Sequence, residues 1–405
     1  MKQFLFPSLI LLSSYILIVS CASTANTSYP NIISEPEIIP LNPSETLTLQ
    51  IQPLNNTLTF QDIDPSADDS LSRIFTEYYQ NQKPNGITCT VYSPTKGIWE
   101  KQYGFCDANK AIPVTCNTKM PIGIISKIFT AMIVASLVQE GRLSYSDTVD
   151  KWFPEYDFLK KVTIDHLLRH TSGIITSELV LSNYQKNNEY ISDVDIVKNT
   201  MEAYPSLLFE PGKYYHYSNT GYIMLGIISE KVSGKKMSDL FNEEIIIPLD
   251  LKSTAYSTIF LQPDFSNISF NSEGIPYINT ENPANPHAAG CIVSTPNDSI
   301  KMLAAILNGT IMKKIDYLCL LDDMNKIYSS LICDVYYGRG ISLIKIKVPG
   351  KEANYIGHKG GFSYFSSLLF YNQNNNTFCS IVSNQSVQSL DPLMFGLLEY
   401  FQKNK

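Results

Sequence analysis

Lys127 has residues around it that could do chemistry. It lies in the apolar segment Ile122-Gly123-Ile124-Ile125-Ser126-Lys127-Ile128-Phe129-Thr130-Ala131. The spacing predicts a helix from Ile125 to Glu140, closed by Gly141. Acyl transfer at a serine needs a hydroxyl, a base within hydrogen-bond reach, a proton route to the leaving group and donors for the oxyanion. Residues three apart on a helix share a face, so a hydroxyl at position 124 would stand beside Lys127. Position 124 is isoleucine. A sec-butyl group has no lone pair and no acidic proton, and it fills the space a substrate carbonyl would enter. Ser126 projects about 100° away around the helix from Lys127 and is expected on a different face. Ser93-Pro94-Thr95-Lys96 and Ser233-Gly234-Lys235-Lys236 have the right spacing, but the first is a hairpin turn and the second ends a helix. A lysine in an apolar helix usually snorkels to water; here an inward Lys127 is favoured because of its partners elsewhere in the chain.

Those partners are two short stretches. Tyr217-Ser218-Asn219 precedes a helix, and Gly357-His358-Lys359-Gly360-Gly361-Phe362 introduces an edge strand. Alone, the first would be a turn with an Asn cap and His358 a loop histidine. In order with Lys127, they resemble the Ser-x-x-Lys, Tyr-x-Asn and Lys/His-x-Gly motifs of the serine β-lactamase and D,D-peptidase (penicillin-binding protein-like) superfamily, on its class C and esterase-like branch. Supporting pieces are Ile164-Asp165-His166-Leu167-Leu168-Arg169-His170-Thr171-Ser172-Gly173, Val232-Ser233-Gly234-Lys235, Pro248-Leu249 and Ala288-Ala289-Gly290-Cys291-Ile292-Val293-Ser294-Thr295. The resemblance covers roughly residues 70 to 400.

The resemblance implies Lys127 as the base, Tyr217 as the proton-shuttling phenol, Asn219 as the amide holding substrate or lysine, and His358 as the partner that tunes Tyr217. The backbone N–H groups of Ile124 and of Gly361, beside Gly360, would form the oxyanion hole. Being main-chain donors, they survive the change at position 124. The expected function is therefore a β-lactamase-related serine hydrolase homologue inactive in covalent acyl transfer, binding a peptidoglycan-like or other acyl ligand. The alternative is an active hydrolase (esterase, D,D-peptidase or β-lactamase-like) that uses another nucleophile or activated water. His170 is expected to brace the helical part, and Cys291 to be a small packing residue.

Stepping along the chain, a helix begins near Leu71 and runs through Tyr78. Ile87 to Tyr92 and Ile98 to Tyr103 read as a hairpin. Ile164 to Leu168 and Gly221 to Val232 read as helices, the latter stopped by Gly234. Ile341 to Val348, Ser363 to Tyr371 and Phe378 to Ser383 read as strands, followed by a helix from Leu393 to about Gln402. Strands at both ends with helices between them give an α+β fold, an α/β sandwich in which one antiparallel sheet from both termini is flanked by the terminal helices. The mostly helical second lobe spans about 116–284, with the sheet lobe at about 69–115 and 285–405.

Residues 1–20 have the layout of a signal peptide, with Lys2 ahead of the apolar run Phe4 to Val19. Ile18-Val19-Ser20-Cys21 resembles a lipobox, which makes Cys21 the expected lipidation site; the alternative is an ordinary cleaved signal. Residues 21–68 then read as a polar tether and N-terminal extension. The expected location is the bacterial cell envelope, membrane-bound through the lipid, or else secreted or periplasmic. The net charge is -7 and no basic run is long enough to follow a phosphate backbone, which argues against nucleic acid. Besides Cys21 there are cysteines at 89, 106, 116, 291, 319, 333 and 379, with no CxxC pair and no clustering with histidine. No metal and no cofactor are expected. Most of these cysteines should act as small buried hydrophobes, and the spacing of Cys106 and Cys116 leaves a disulfide open.

Overall fold

The computed structural model describes residues 38–49, 62, 65–178, 180–181, 191–256, 268–270, 276–278, 287–308, 317–362, 365–385, 387 and 389–403. Cys21 and the signal-like run lie outside the described residues. Among those described, no helix is long and apolar enough to cross a membrane.

The chain opens with a short strand, β1 (Ile39–Pro40), and then a helix, α1 (Pro65–Gln82), which leads into the hairpin β2 (Gly86–Ser93) and β3 (Gly97–Gly104). The helical part follows. It carries β4 (Met120–Pro121), α2 (Ser126–Gln139), α3 (Ile164–Leu168), α4 (Asp193–Ala203), β5 (Tyr214–Tyr215), α5 (Asn219–Ser233), α6 (Met237–Phe241), β6 (Ala255–Tyr256), β7 (Ile268–Phe270) and β8 (Pro276–Ile278). Next come α7 (His287–Gly290), β9 (Ile292–Ser294) and α8 (Pro296–Leu307). The last third is β10 (Asn325–Ser329), β11 (Cys333–Tyr337), β12 (Ser342–Ile346), β13 (Ala353–Phe362), β14 (Phe365–Asn372), β15 (Thr377–Ser383) and α9 (Asp391–Lys403).

An antiparallel sheet of eight strands, ordered β10-β11-β12-β13-β14-β15-β2-β3, joins the two ends of the chain. The seam is β15 against β2, with Cys379 opposite Val91 and Ile381 opposite Cys89. Alternate residues along these strands feed two cores, as the period of two requires. Ile87, Cys89, Val91, Phe370 and Ile381 pack with Leu71 and Phe75 of α1 and Leu397 of α9. Leu343, Ile356, Leu369 and Val382 pack with Ile128, Met132, Met224 and Leu303 of α2, α5 and α8. This is the sheet expected from the sequence, with helices on both faces.

Every residue of α2 from Ser126 to Leu137 is buried. A helix that is apolar all round has no side for water, so it runs through the middle of the fold, and that placement forces Lys127 inward. The sequence reading missed β10, β11, α4 and α8, and the stretch 357–362, read as introducing an edge strand, lies within β13, an interior strand between β12 and β14. For α8 a local signal exists: Thr295 caps the helix by accepting a hydrogen bond from the Asp298 N–H, and Pro296 occupies its first turn. Residues 38–49, inside the stretch read as a tether, lie docked on the domain: β1 pairs with β5, and Leu47 bridges to Met324. None of the seven cysteines among the described residues is in a disulfide, Cys106 and Cys116 included.

Asp165 of α3 clamps the helical part to the sheet. Its carboxylate takes Arg169 Nε at 2.8 Å and Arg339 Nε, from the β11–β12 connection, at 2.6 Å. The two guanidinium groups also donate to the carbonyls of Asp322 (2.9 Å) and Cys319 (2.6 Å), just ahead of β10. Burial pushes the Asp165 carboxyl up, yet the two arginines outweigh it and hold the group below the usual carboxylate range. Removing the charge leaves two largely buried cations without their counter-ion. Asp165→Asn should therefore cost roughly 3 kcal/mol of unfolding free energy, read as a lower urea midpoint, whereas Lys160→Gln on the open surface should leave the midpoint within error.

Candidate functional site

The site is built on a tight turn. Gly123–Ile125 form a 3-10 turn that runs directly into α2, with Gly123 at φ +53°. The turn is pressed against β13 and β14: Ser367 Oγ of β14 donates to the Ile122 carbonyl at 2.7 Å, and a Cβ on Gly360 of β13 would stand 2.3 Å from that same oxygen. Glycine at 360 is thus a steric requirement of seating the turn on the strand. Ile124 is 4 % exposed at this turn.

One position past the turn-helix junction, Lys127 is fully buried. Its Nζ donates to Asn219 Oδ1 at 2.5 Å and to the Ala289 carbonyl at 3.1 Å. It also lies over the rings of Tyr217 at 4.8 Å and Tyr222 at 5.2 Å. The sequence motifs at 127, 217 and 219 are therefore brought together, from α2 and from the start of α5. Asn219 can be held there because Ser218 caps α5 by accepting from the Gly221 N–H, while the Asn219 N–H donates to Thr176 Oγ1 at 3.2 Å.

Asn219 has a second partner that sequence reasoning did not find. Its Nδ2 donates to a carboxylate oxygen of the exposed Glu178, whose other oxygen accepts from Thr176. A chain of polar groups thus runs from surface carboxylate to buried lysine, Glu178 to Asn219 to Lys127. Nothing local marks Glu178, since it becomes significant only through contacts 41 residues away in sequence.

His358 departs from the expected arrangement. The resemblance assigned it to Tyr217; in the structure its Nε2 is 3.1 Å from the Tyr337 hydroxyl, and its Nδ1 is 2.5 Å from the Lys359 carbonyl. A carbonyl can only accept, so Nδ1 carries the proton and Tyr337 donates to Nε2. Tyr337 is another residue the sequence left unmarked. It links His358 to His170, whose ring is 5.1 Å from that of Tyr337 and 4.4 Å from that of Tyr217. His170 braces, as expected: its Nδ1 accepts from the Ser218 N–H at 3.1 Å, and its carbonyl accepts from the His216 N–H at 2.9 Å.

Neither substitute nucleophile suggested by residue type is placed to act. Ser126 Oγ is buried and accepts the Ile292 N–H at 3.0 Å. Burial pushes the Cys291 thiol well above its ordinary value, which keeps it protonated and a poor nucleophile.

Burial, reinforced by Lys127, lowers the His358 imidazole to about 4 and holds His170 well below its ordinary value. Both rings are neutral at neutral pH. An unfolded chain would take up these protons near pH 6.5, before the folded one does, so stability rises with pH between about 4 and 6.5 and is lost as pH falls through that window. For His358 alone the full loss is on the order of 3 kcal/mol. Denaturation midpoints measured from pH 7 to 4 should fall steadily in the native protein, and His358→Gln should flatten that fall by about one proton's worth of slope.

The chain is similar to several known proteins. Over 168 residues the chain is 32% identical to a penicillin-binding protein of Bacillus subtilis, covering 41% of this chain and 37% of that one. Over 233 residues it is 28% identical to a teichoic acid D-alanine hydrolase of Staphylococcus aureus, covering 56% of each. The matches thus span about half or less of the length of these curated relatives. Among solved structures, the D-amino acid amidase of Ochrobactrum anthropi SV3 superposes with a TM-score of 0.73 at 22% identity, covering 84% of this chain and 99% of that one. The D-alanine carboxypeptidase AmpC of Burkholderia cenocepacia gives 0.68 at 16% identity, covering 84% and 99%. These two likenesses establish the fold. The Beta-lactamase family model matches residues 71–395, a span that holds Lys127, Tyr217, Asn219 and His358, and the chain is a member of that family.

Proposed function

We propose that this protein is a non-acylating member of its family, whose site holds a ligand without forming an ester to it. The observation that carries this reading is Ile124, buried at the position one helical turn ahead of a lysine that is still fully internal and hydrogen-bonded. Keeping a lysine amine out of water is costly unless its hydrogen bonds are met. The Asn219–Lys127 pairing meets that cost beside an isoleucine at the position a nucleophilic serine would take. Ser126 and Cys291 are occupied elsewhere, which supports loss of the covalent step over a change of nucleophile.

The relatives guide the ligand class. They are named as a teichoic acid D-alanine hydrolase, a D-amino acid amidase and a D-alanine carboxypeptidase. The ligand proposed here is accordingly a D-amino-acyl group of cell-envelope material, peptidoglycan-like or a related acyl compound. Export and lipid attachment at Cys21 belong to the same reading. From Cys21 to Ile38 is 38 − 21 = 17 residues, so an anchored chain could hold the docked segment no farther than about 60 Å from the bilayer.

The test is incubation with a fluorescent penicillin, a chromogenic cephalosporin and a short-chain ester, followed by intact-mass measurement. No adduct is expected, and turnover should not exceed that of Lys127→Ala by more than a few-fold. An oxyanion hole and binding alone can give roughly 10³-fold over water, so trace hydrolysis equal in both proteins fits the proposal. A covalent adduct, or lysine-dependent turnover, would overturn it in favour of an active hydrolase. Ile124→Ser should recover weak activity at most, because Asn219, itself held by Glu178, already engages Lys127.

A further inference from the structure

The segment from Ile38 to Leu49 does more than connect. Ile39 pairs with Tyr215 and Pro40 with Tyr214, adding a strand to the edge of β5. The Leu41 N–H extends the pairing to the Lys213 carbonyl at 3.1 Å. Beyond it the segment crosses to the sheet side. Glu45 meets Lys326 at 3.0 Å, Leu47 and Met324 exchange backbone hydrogen bonds at 2.9 and 2.8 Å, and Thr48 Oγ1 accepts the Asp323 N–H at 3.0 Å. A stretch of a dozen residues is thus laced to both parts of the molecule.

Its upper end lies two contacts from the site. Tyr215, the partner of Ile39, sets its ring 5.9 Å from His170 and 5.8 Å from Tyr337. His170 in turn receives the Ser218 N–H, which fixes the turn carrying Tyr217 and Asn219, and Tyr337 donates to His358. Ile39, Leu41 and Tyr217 all pack on the same apolar cluster as Tyr215. β5 is only two residues long, too short to hold its own geometry, since an isolated pair of strands is marginal even at greater length. Strand addition at an open edge supplies main-chain hydrogen bonds that such an element lacks.

We propose that residues 38–49 are a built-in strap whose strand on β5 positions the Tyr217–Asn219 turn and the His170–Tyr337–His358 row of rings. The strap acts through Tyr215 and touches no reacting group, so it is a positioning element and its role holds whether or not the site acylates.

The experiment uses the full chain with Ile39→Asp and Leu41→Asp together, and Leu41→Ile as the conservative counterpart. The readouts are the carbon-13-edited ring signals of His170 and His358 and the melting temperature. The proposal expects both ring signals of the aspartate variant to move by more than a line width, those of Leu41→Ile to stay in place, and a synthetic peptide of residues 38–49 to return the shifted signals toward their native positions. A folded aspartate variant with a lower melting temperature but unmoved histidine signals would overturn it, because the strap would then be only a stabilising cover. Should the aspartate pair fail to fold, Ile39→Ala with Leu41→Ala gives the same contrast: displaced signals support the strap's role and native signals refute it.

Discussion

A lysine inside an apolar helix constrains the rest of this molecule. Helix α2 is buried on every side, so Lys127 cannot reach water and its hydrogen bonds must be met from within. Two other segments accept from it, and a third backs one of them. The start of α5 brings Asn219, α7 turns a carbonyl toward Nζ, and the loop after His170 adds Glu178 behind Asn219. Each contact joins elements far apart in sequence, so the polar centre also fixes the way the helical part closes around α2.

The same constraint explains the rings near the lysine. Tyr217 and Tyr222 present their faces to Nζ, an arrangement worth about 2 kcal/mol where water is excluded. His170 and His358 sit close enough to feel Lys127, and burial with that nearby nitrogen keeps both imidazoles neutral. A neutral His358 can accept from Tyr337 while donating to the Lys359 carbonyl, which a doubly protonated ring could not do. Burial first, and the nearby lysine second, thus keep these rings neutral and fix the hydrogen-bond direction at His358.

Much of the fold was legible in the sequence because its strongest signals are local. The hairpin of β2 and β3 shows as β-branched and aromatic runs around a Pro- and Gly-containing turn. Helix α3 follows its capping residue Thr163, and α5 stops where Gly234 takes a left-handed conformation. Strands β10 and β11 were missed because Tyr317 to Tyr337 mixes aspartate, serine and cysteine with apolar residues, giving no clean alternation. The docking of residues 38–49 was equally invisible. Pro40, Asn42 and Pro43 there suggest a tether, and only an open edge on β5 and the Met324 carbonyl turn it into a strap.

By itself the sequence determined the α+β class, the pairing of both chain ends in one sheet, the inward lysine and the missing hydroxyl at position 124. The first two follow from periodicity and the order of elements, whereas the inward lysine and the missing hydroxyl were legible only beside the family-like stretches at 217–219 and 357–362. Only the tertiary structure decided that His358 bonds Tyr337, that Glu178 stands behind Asn219, and that Ser126 is tied to Ile292. Hydrogen bonds between distant segments depend on which faces meet across the core, and a linear pattern carries no record of that.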